Sequence, residues 1–203
     1  MERSKGRSAG WIIRTKACVV ALGAATALGT GAAPAAAAGV IKQPNAHPDY
    51  TFEAEPHLLL GWLDPPGAAS GHGYGLGFRG TFELVDPGFI KSINNTVGIG
   101  FGLDWVDYHW EDCERGPNRA WVCDDDDADY LWVPIVMQWN FFLHDQWSVF
   151  GEPGGAIRLR GPGKDKIDPL VFYVGGRWHF ADNASLTMRL GYPAFSVGVS
   201  FFL

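Results

Sequence analysis

The sequence predicts an all-β fold, an eight-stranded antiparallel up-and-down barrel, and three observations carry that expectation. The last nine residues set Phe195, Val197, Val199, Phe201 and Leu203 on one side of an extended chain and Ser196, Gly198 and Ser200 on the other, because successive strand side chains point to opposite faces. Upstream, segments of about ten residues repeat this period-2 alternation and are divided by turn chemistry. The connections also alternate: His144-Asp-Gln146 and Ala181-Asp-Asn-Ala184 are tight, whereas about His109 to Asp129 and Arg160 to Lys166 are long.

The chain opens with Arg3, Lys5, Arg7, Arg14 and Lys16, an apolar run from Ala17 to Leu28, Pro34, and an Ala-x-Ala site at Ala36 to Ala38. This is the pattern of a secretory signal peptide, residues 1–38, cleaved near Ala38. The run is too short and too rich in Ala and Gly for a spanning helix, which needs about 20 apolar residues. Lys16 precedes Cys18 by two residues, where a lipobox takes small or apolar side chains, and this argues against lipidation. Residues 39–51 are then an N-terminal periplasmic segment, and 52–203 the barrel. Loss of the leader removes five basic residues and Glu2, leaving 11 Lys and Arg against 21 Asp and Glu. A net charge near −10 argues against nucleic acid as a partner, since backbone binding needs clustered cations.

Strand one, about Phe52 to Leu63, alternates noisily, and Pro56 predicts a bulge or bend there. Strand two sets Tyr74, Leu76, Phe78, Phe82 and Leu84 against Gly75, Gly77, Arg79, Thr81 and Glu83. Strand three is the clearest, with Val97, Ile99, Phe101, Leu103 and Trp105 against Gly98, Gly100, Gly102 and Asp104. Strand four opposes Leu131, Val133, Ile135, Met137, Trp139 and Phe141 to Trp132, Pro134, Val136, Gln138 and Asn140. Strand five, about Trp147 to Leu159, is interrupted by Pro153 and Gly154. Strand six places Leu170, Phe172, Val174, Trp178 and Phe180 opposite Val171, Tyr173, Gly175, Arg177 and His179, and strand seven Leu186, Met188 and Leu190 opposite Thr187, Arg189 and Gly191.

One face of these strands is almost uninterrupted Leu, Val, Phe, Trp and Met, and the other is Gly, Ser, Thr and a few charges. A water-facing wall would carry far more Lys and Glu. The apolar face therefore reads as the outside, which makes this a transmembrane β-barrel. Aromatic girdles fit that reading, with Trp139, Trp147, Trp178, Phe180 and Phe201 at the inner edge and Trp62, Tyr74, Trp105, Tyr108, Tyr130 and Trp132 at the outer. Two connections fit poorly: Val85 to Thr96 is long for an inner turn, and Tyr192-Pro-Ala194 is short for an outer loop.

The inward parity carries Arg79, Arg158, Arg177 and Arg189 with Glu55, Glu83, Asp104 and Glu152. An eight-stranded barrel is barely wide enough for its own side chains, so these charges are expected to interlock as ion pairs and leave no open pore. Arg79, Arg189 and Glu152, nearest mid-height, should form the centre of a network that also takes in Glu83, Asp104, Arg158 and Arg177; the competing reading, strongest for Glu55 and Arg158, leaves the outermost charges near the rims in water. Cys113 and Cys123 read as a disulfide rather than a metal pair. The acidic run Asp124 to Asp127, with Asp129, lacks the alternate ligand spacing of a calcium loop and reads as a solvated loop tip. His57, His72, His109 and His144 are dispersed, and Gly73 to Gly77 keeps strand alternation, so neither a metal, a phosphate loop nor a cofactor is expected.

With the segment Phe180-Ala-Asp-Asn-Ala-Ser-Leu-Thr-Met-Arg-Leu-Gly191 and the terminal strand, the chain from about Phe52 to Leu203 resembles the small eight-stranded outer-membrane β-barrel family, which includes the OmpA transmembrane domain, OmpX and the opacity-like barrels. The resemblance implies a monomer in the outer membrane of a Gram-negative bacterium, embedded in outer-membrane lipid, with an envelope structural or surface-interaction role and no catalytic activity. It implies that Phe195, Val197, Val199, Phe201 and Leu203 are the assembly signal read by the barrel-assembly machinery, although Leu203 stands where Phe is commoner. No peptidoglycan-binding domain follows, so periplasmic tethering is not implied. The family also includes lipid A deacylases, in which a His and a Ser attack an acyl ester. Here His179-Phe-Ala-Asp-Asn-Ala-Ser185 is similar to a deacylase segment but has no serine two residues after the histidine, and His179 reads as an inward polar filler at the inner end. A third reading is a secreted soluble lipocalin-like binding barrel, which requires the apolar face to be internal.

Overall fold

A computed structural model of the chain describes residues 39–61, 72–115, 121–164, 166–192 and 194–203. The leader and Trp62 lie outside the described residues. The strands are β1 (Phe52–Gly61), β2 (His72–Val85), β3 (Asn95–Arg115), β4 (Trp121–His144), β5 (Trp147–Arg160), β6 (Ile167–Ala181), β7 (Ala184–Gly191) and β8 (Ala194–Phe202). Each pairs with the next, and β8 returns to β1, which closes an up-and-down barrel. We call the end that carries residues 39–51 and Leu203 the base, and the opposite end the crown.

Period-2 patterning selects the wall. Leu58, Leu76, Phe78, Ile99, Phe172 and Leu190 point outward and are exposed, while Arg79, Gln138, Glu152 and Arg189 point inward and are buried. Two of the base connections are two-residue turns, Asp145–Gln146 and Asp182–Asn183, which fix the register of their hairpins. Proline has no N–H to give a ladder, and the β1–β8 pairing passes from Ala54↔Phe201 to His57↔Gly198 without Pro56. The β5–β6 register shifts between Gly154 and Ala156.

The stretch 109–129, expected as a loop, is instead a hairpin. β3 and β4 run on in register from His109↔Asp127 to Arg115↔Trp121, and the acidic run lies on β4 rather than at a loop tip. β2 reaches only to His109 and β5 only to Leu131, so the six residues from Trp110 to Arg115 and their partners form a two-stranded ribbon, roughly 20 Å long at strand rise. The ribbon has no neighbouring strand on either edge, and at its foot Trp110 packs against the buried crown cluster. Period-2 patterning is blind to such a strand.

Residues 39–51 lie across the base. Val40 N donates to Leu143 O (3.0 Å), Asn94 N to Ile41 O (2.8 Å), and Thr51 N to Leu203 O (2.8 Å). The His47 ring stacks on Phe142 with centroids 4.4 Å apart. Val40, Tyr50, Phe142 and Phe202 are buried together, and burial pushes the Tyr50 phenol well above its ordinary pKa, which keeps it neutral.

Candidate functional site: the barrel lumen

Inward positions change character along each strand. From base to crown, β1 presents Glu53, Glu55, His57 and Leu59, β3 presents Asp104, Val106 and Tyr108, and β4 presents Asn140, Gln138, Val136, Trp132 and Tyr130, all buried. Space for them comes partly from glycine. A Cβ at Gly77 would collide with His57 and Asp104, and one at Gly175 with the Phe150 ring.

The base layer centres on Arg177. Its guanidinium grips Glu53 with both carboxylate oxygens at 2.7 and 2.8 Å, donates to Asn140 Oδ1 at 2.6 Å, and lies 4.3 Å from the Phe150 ring centroid. Nearby, Ser148 Oγ and His179 Nε2 are 2.9 Å apart. Ser148 is fully buried, so the pair fills space at the base and offers no exposed nucleophile.

The middle layer is a chain of ions around Glu152. Arg189 donates to Glu152 from Nε (2.9 Å) and to Glu55 from both terminal nitrogens (2.7 and 2.8 Å). Arg79 joins Glu152 (3.2 Å) to Asp104 (3.2 Å), and Asp104 continues to His57 Nε2 (3.0 Å). Gln138 Nε2 completes the Glu152 shell at 2.9 Å. Its members come from six strands, β1 to β5 and β7, so the network ties the wall together across the lumen rather than along it.

The crown layer is mainly apolar and aromatic, with Arg158 buried beside it. Leu59, Val106, Tyr108, Tyr130, Trp132, Val136, Val171 and Tyr173 form one buried cluster, with Tyr130 stacked on Trp132 at 4.8 Å and edge-on to Tyr108 at 5.6 Å. Between the ionic and aromatic layers lies a small cavity bordered by Arg79, Asp104, Trp132, Tyr173 and Arg189.

Arg79, Asp104, Glu152 and Arg189 therefore meet directly, and Arg177 heads a second cluster at the base. Glu83 does not join either; it is half-buried near the base rim. Glu55 and Arg158, for which the competing reading of a watery rim is strongest, are both buried: Glu55 lies within the central network, and Arg158 sits near the crown, 5.9 Å from the Tyr130 ring centroid. Barrel width accounts for this, since inward side chains of this length reach the axis even from near the rim. Tyr108, Tyr130 and Trp132, expected in the outer girdle, also point inward, whereas Tyr74 and Trp105 lie on the outer wall. Glu53, His57, Gln138 and Asn140 are network members that sequence reasoning missed. The signal was parity alone, because each stands two or four residues from an inward polar neighbour. Cys113 and Cys123 face each other across the ribbon in the backbone register. The Cys113 side chain lies outside the described residues.

No metal-binding group of three or more His, Cys, Asp or Glu occurs among the described residues. No known family model matches the chain, and no curated protein is significantly similar to it.

Proposed function

We propose that this chain is a transmembrane β-barrel of the bacterial outer membrane, exported behind a leader cleaved near Ala38, with an envelope structural or surface-interaction role and no catalytic activity. The observation that supports it is the inversion of polarity across the wall: Leu170 on the outside is 78 % exposed, while Arg189 on the inside is 1 % exposed. In water this wall would be an extreme apolar patch, and in a bilayer it is the required surface. The exposed outward parity weighs against the lipocalin-like reading, and the packed lumen weighs against a porin. On this reading the chain is a monomeric relative of the small OmpA-like, OmpX-like and opacity-like barrels, surrounded by lipid. Its acidic crown ribbon is the surface offered to the exterior, stapled by a Cys113–Cys123 bridge, which free thiols in the exported protein would contradict.

Flotation decides the reading. The folded protein should rise with lipid vesicles in a density gradient and resist alkaline extraction, and a protein left in the soluble fraction refutes the membrane assignment. On the same reading Phe195 to Leu203 form the signal for the assembly machinery. Removal of the last three residues should then abolish insertion in cells, and wild-type insertion of that variant would remove the role.

A further inference from the structure

Among the base connections, 86–94 is anomalous. The other two are two-residue turns of polar residues, Asp145–Gln146 and Asp182–Asn183, whereas this one is nine residues long and presents Phe89 (57 % exposed) and Ile90 (40 % exposed). It is also firmly built. Asn95 holds it from inside, with Nδ2 donating to Ile90 O (2.7 Å) and Ile93 O (2.8 Å), and with its backbone O accepting from Gly88 N (2.7 Å). The Asn95 Oδ1 also accepts from Trp139 Nε1 at 3.0 Å, which couples the loop to the outer wall. On the other side, Asn94 N is bonded to Ile41 O. The loop therefore does not collapse onto the lumen. It folds outward, and Phe89 lies edge-on against Trp139 at 5.4 Å, itself 4.8 Å from Phe141 on the same face.

We infer that the 86–94 connection is a membrane-interface foot, with Phe89 and Ile90 inserted into the phospholipid interface at the base of the barrel. The inference rests on the transmembrane reading above and adds a partner to one loop. Three features favour lipid as the occupant. Phe89 extends the row of outward, half-buried rings formed by Trp139 and Phe141, and Ile90 is exposed beside it, so whatever covers that belt reaches the loop. Aromatic residues gather at the membrane boundary, where a rigid apolar ring can meet the wet headgroup layer. And the next residues, Lys91 and Ser92, are polar and exposed, which places the change from apolar to polar within one turn of the loop.

The test uses single cysteines at positions 89, 90, 92 and 190 in a Cys18→Ser/Cys113→Ser/Cys123→Ser background, each carrying an environment-sensitive fluorophore, in protein refolded into phosphatidylcholine vesicles. Leu190, on the outer wall, is the internal reference. Probes at 89 and 90 should shift to the blue and lose intensity to lipids bearing a nitroxide near the headgroup, while the probe at 92 is quenched by aqueous iodide. If 89 and 90 respond only to iodide while 190 is quenched by lipid, the foot is refuted and the membrane reading stands. If 190 also responds only to iodide, the membrane reading fails and the foot with it. Protection of 89 and 90 from both quenchers would mean a protein covers the loop, and would equally overturn the inference.

Discussion

The two halves of the lumen are filled by different physics. Toward the base, Arg79, Arg177 and Arg189 are matched by Glu53, Glu55, Asp104 and Glu152 at hydrogen-bond distance; toward the crown, Tyr108, Tyr130, Trp132 and Tyr173 pack as rings. Both exclude water from a narrow tube, but they are specified differently. An ionic filling depends on position, because a carboxylate displaced by one methylene leaves a buried guanidinium unmatched. A ring filling depends on volume, because dispersion is nearly indifferent to which apolar group supplies the atoms. The first should tolerate almost no substitution, and the second many.

The largest test is Glu152→Ala. It takes from Arg79 and Arg189 the carboxylate they share, and losing one partner of a buried pair costs about 3–5 kcal/mol. Urea unfolding in vesicles, followed by tryptophan fluorescence, should read that loss; a cost near zero would mean the ions are hydrated and the layer is not a network. A paired comparison sharpens the contrast. Glu152→Asp should lose about 1.5–3 kcal/mol through weakened charged hydrogen bonds, whereas Leu59→Met, which conserves apolar volume in the crown cluster, should lose less than about 1.5 kcal/mol. If the conservative acid swap proves cheaper than the apolar swap, the distinction between the halves is wrong. The smallest effect is expected at the base, where Ser148→Ala removes one neutral hydrogen bond to His179 and should cost about 1 kcal/mol by the same assay.

The sequence made the wall legible because burial on one side and lipid or water on the other impose a strict period of two. It made the centre of the network legible for a related reason: Arg79, Glu152 and Arg189 share inward parity and mid-height, and charges confined there have no alternative partners. What stayed hidden has particular causes. Pro56 broke the alternation of the first strand, so Glu53 and His57 were not recognised beside Glu55. Gln138 and Asn140 carry no charge and drop out of any ion count, although both complete carboxylate or guanidinium shells. Tyr108, Tyr130 and Trp132 were placed by composition, since aromatics near a strand end resemble a girdle; their parity, shared with Asp104 or Gln138, pointed inward all along. In a wall one residue thick, parity outranks residue type.

Pro56 has a further consequence, for the time before the ring exists. The β1–β8 seam joins the first strand to the last, so it can form only once β8 is made, and until it closes β1 stands as one edge of an open eight-stranded sheet. An open edge is a template for the wrong partner, and proline is one of the residues that blunts such an edge. Pro56 keeps its place opposite Phe78 on β2 and is skipped on the side of β8, so its missing N–H falls on the edge that waits. The interruption in the closed barrel is thus the residue of a guard: a strand made slightly worse at its last, correct pairing in exchange for being a poor template for every earlier, incorrect one.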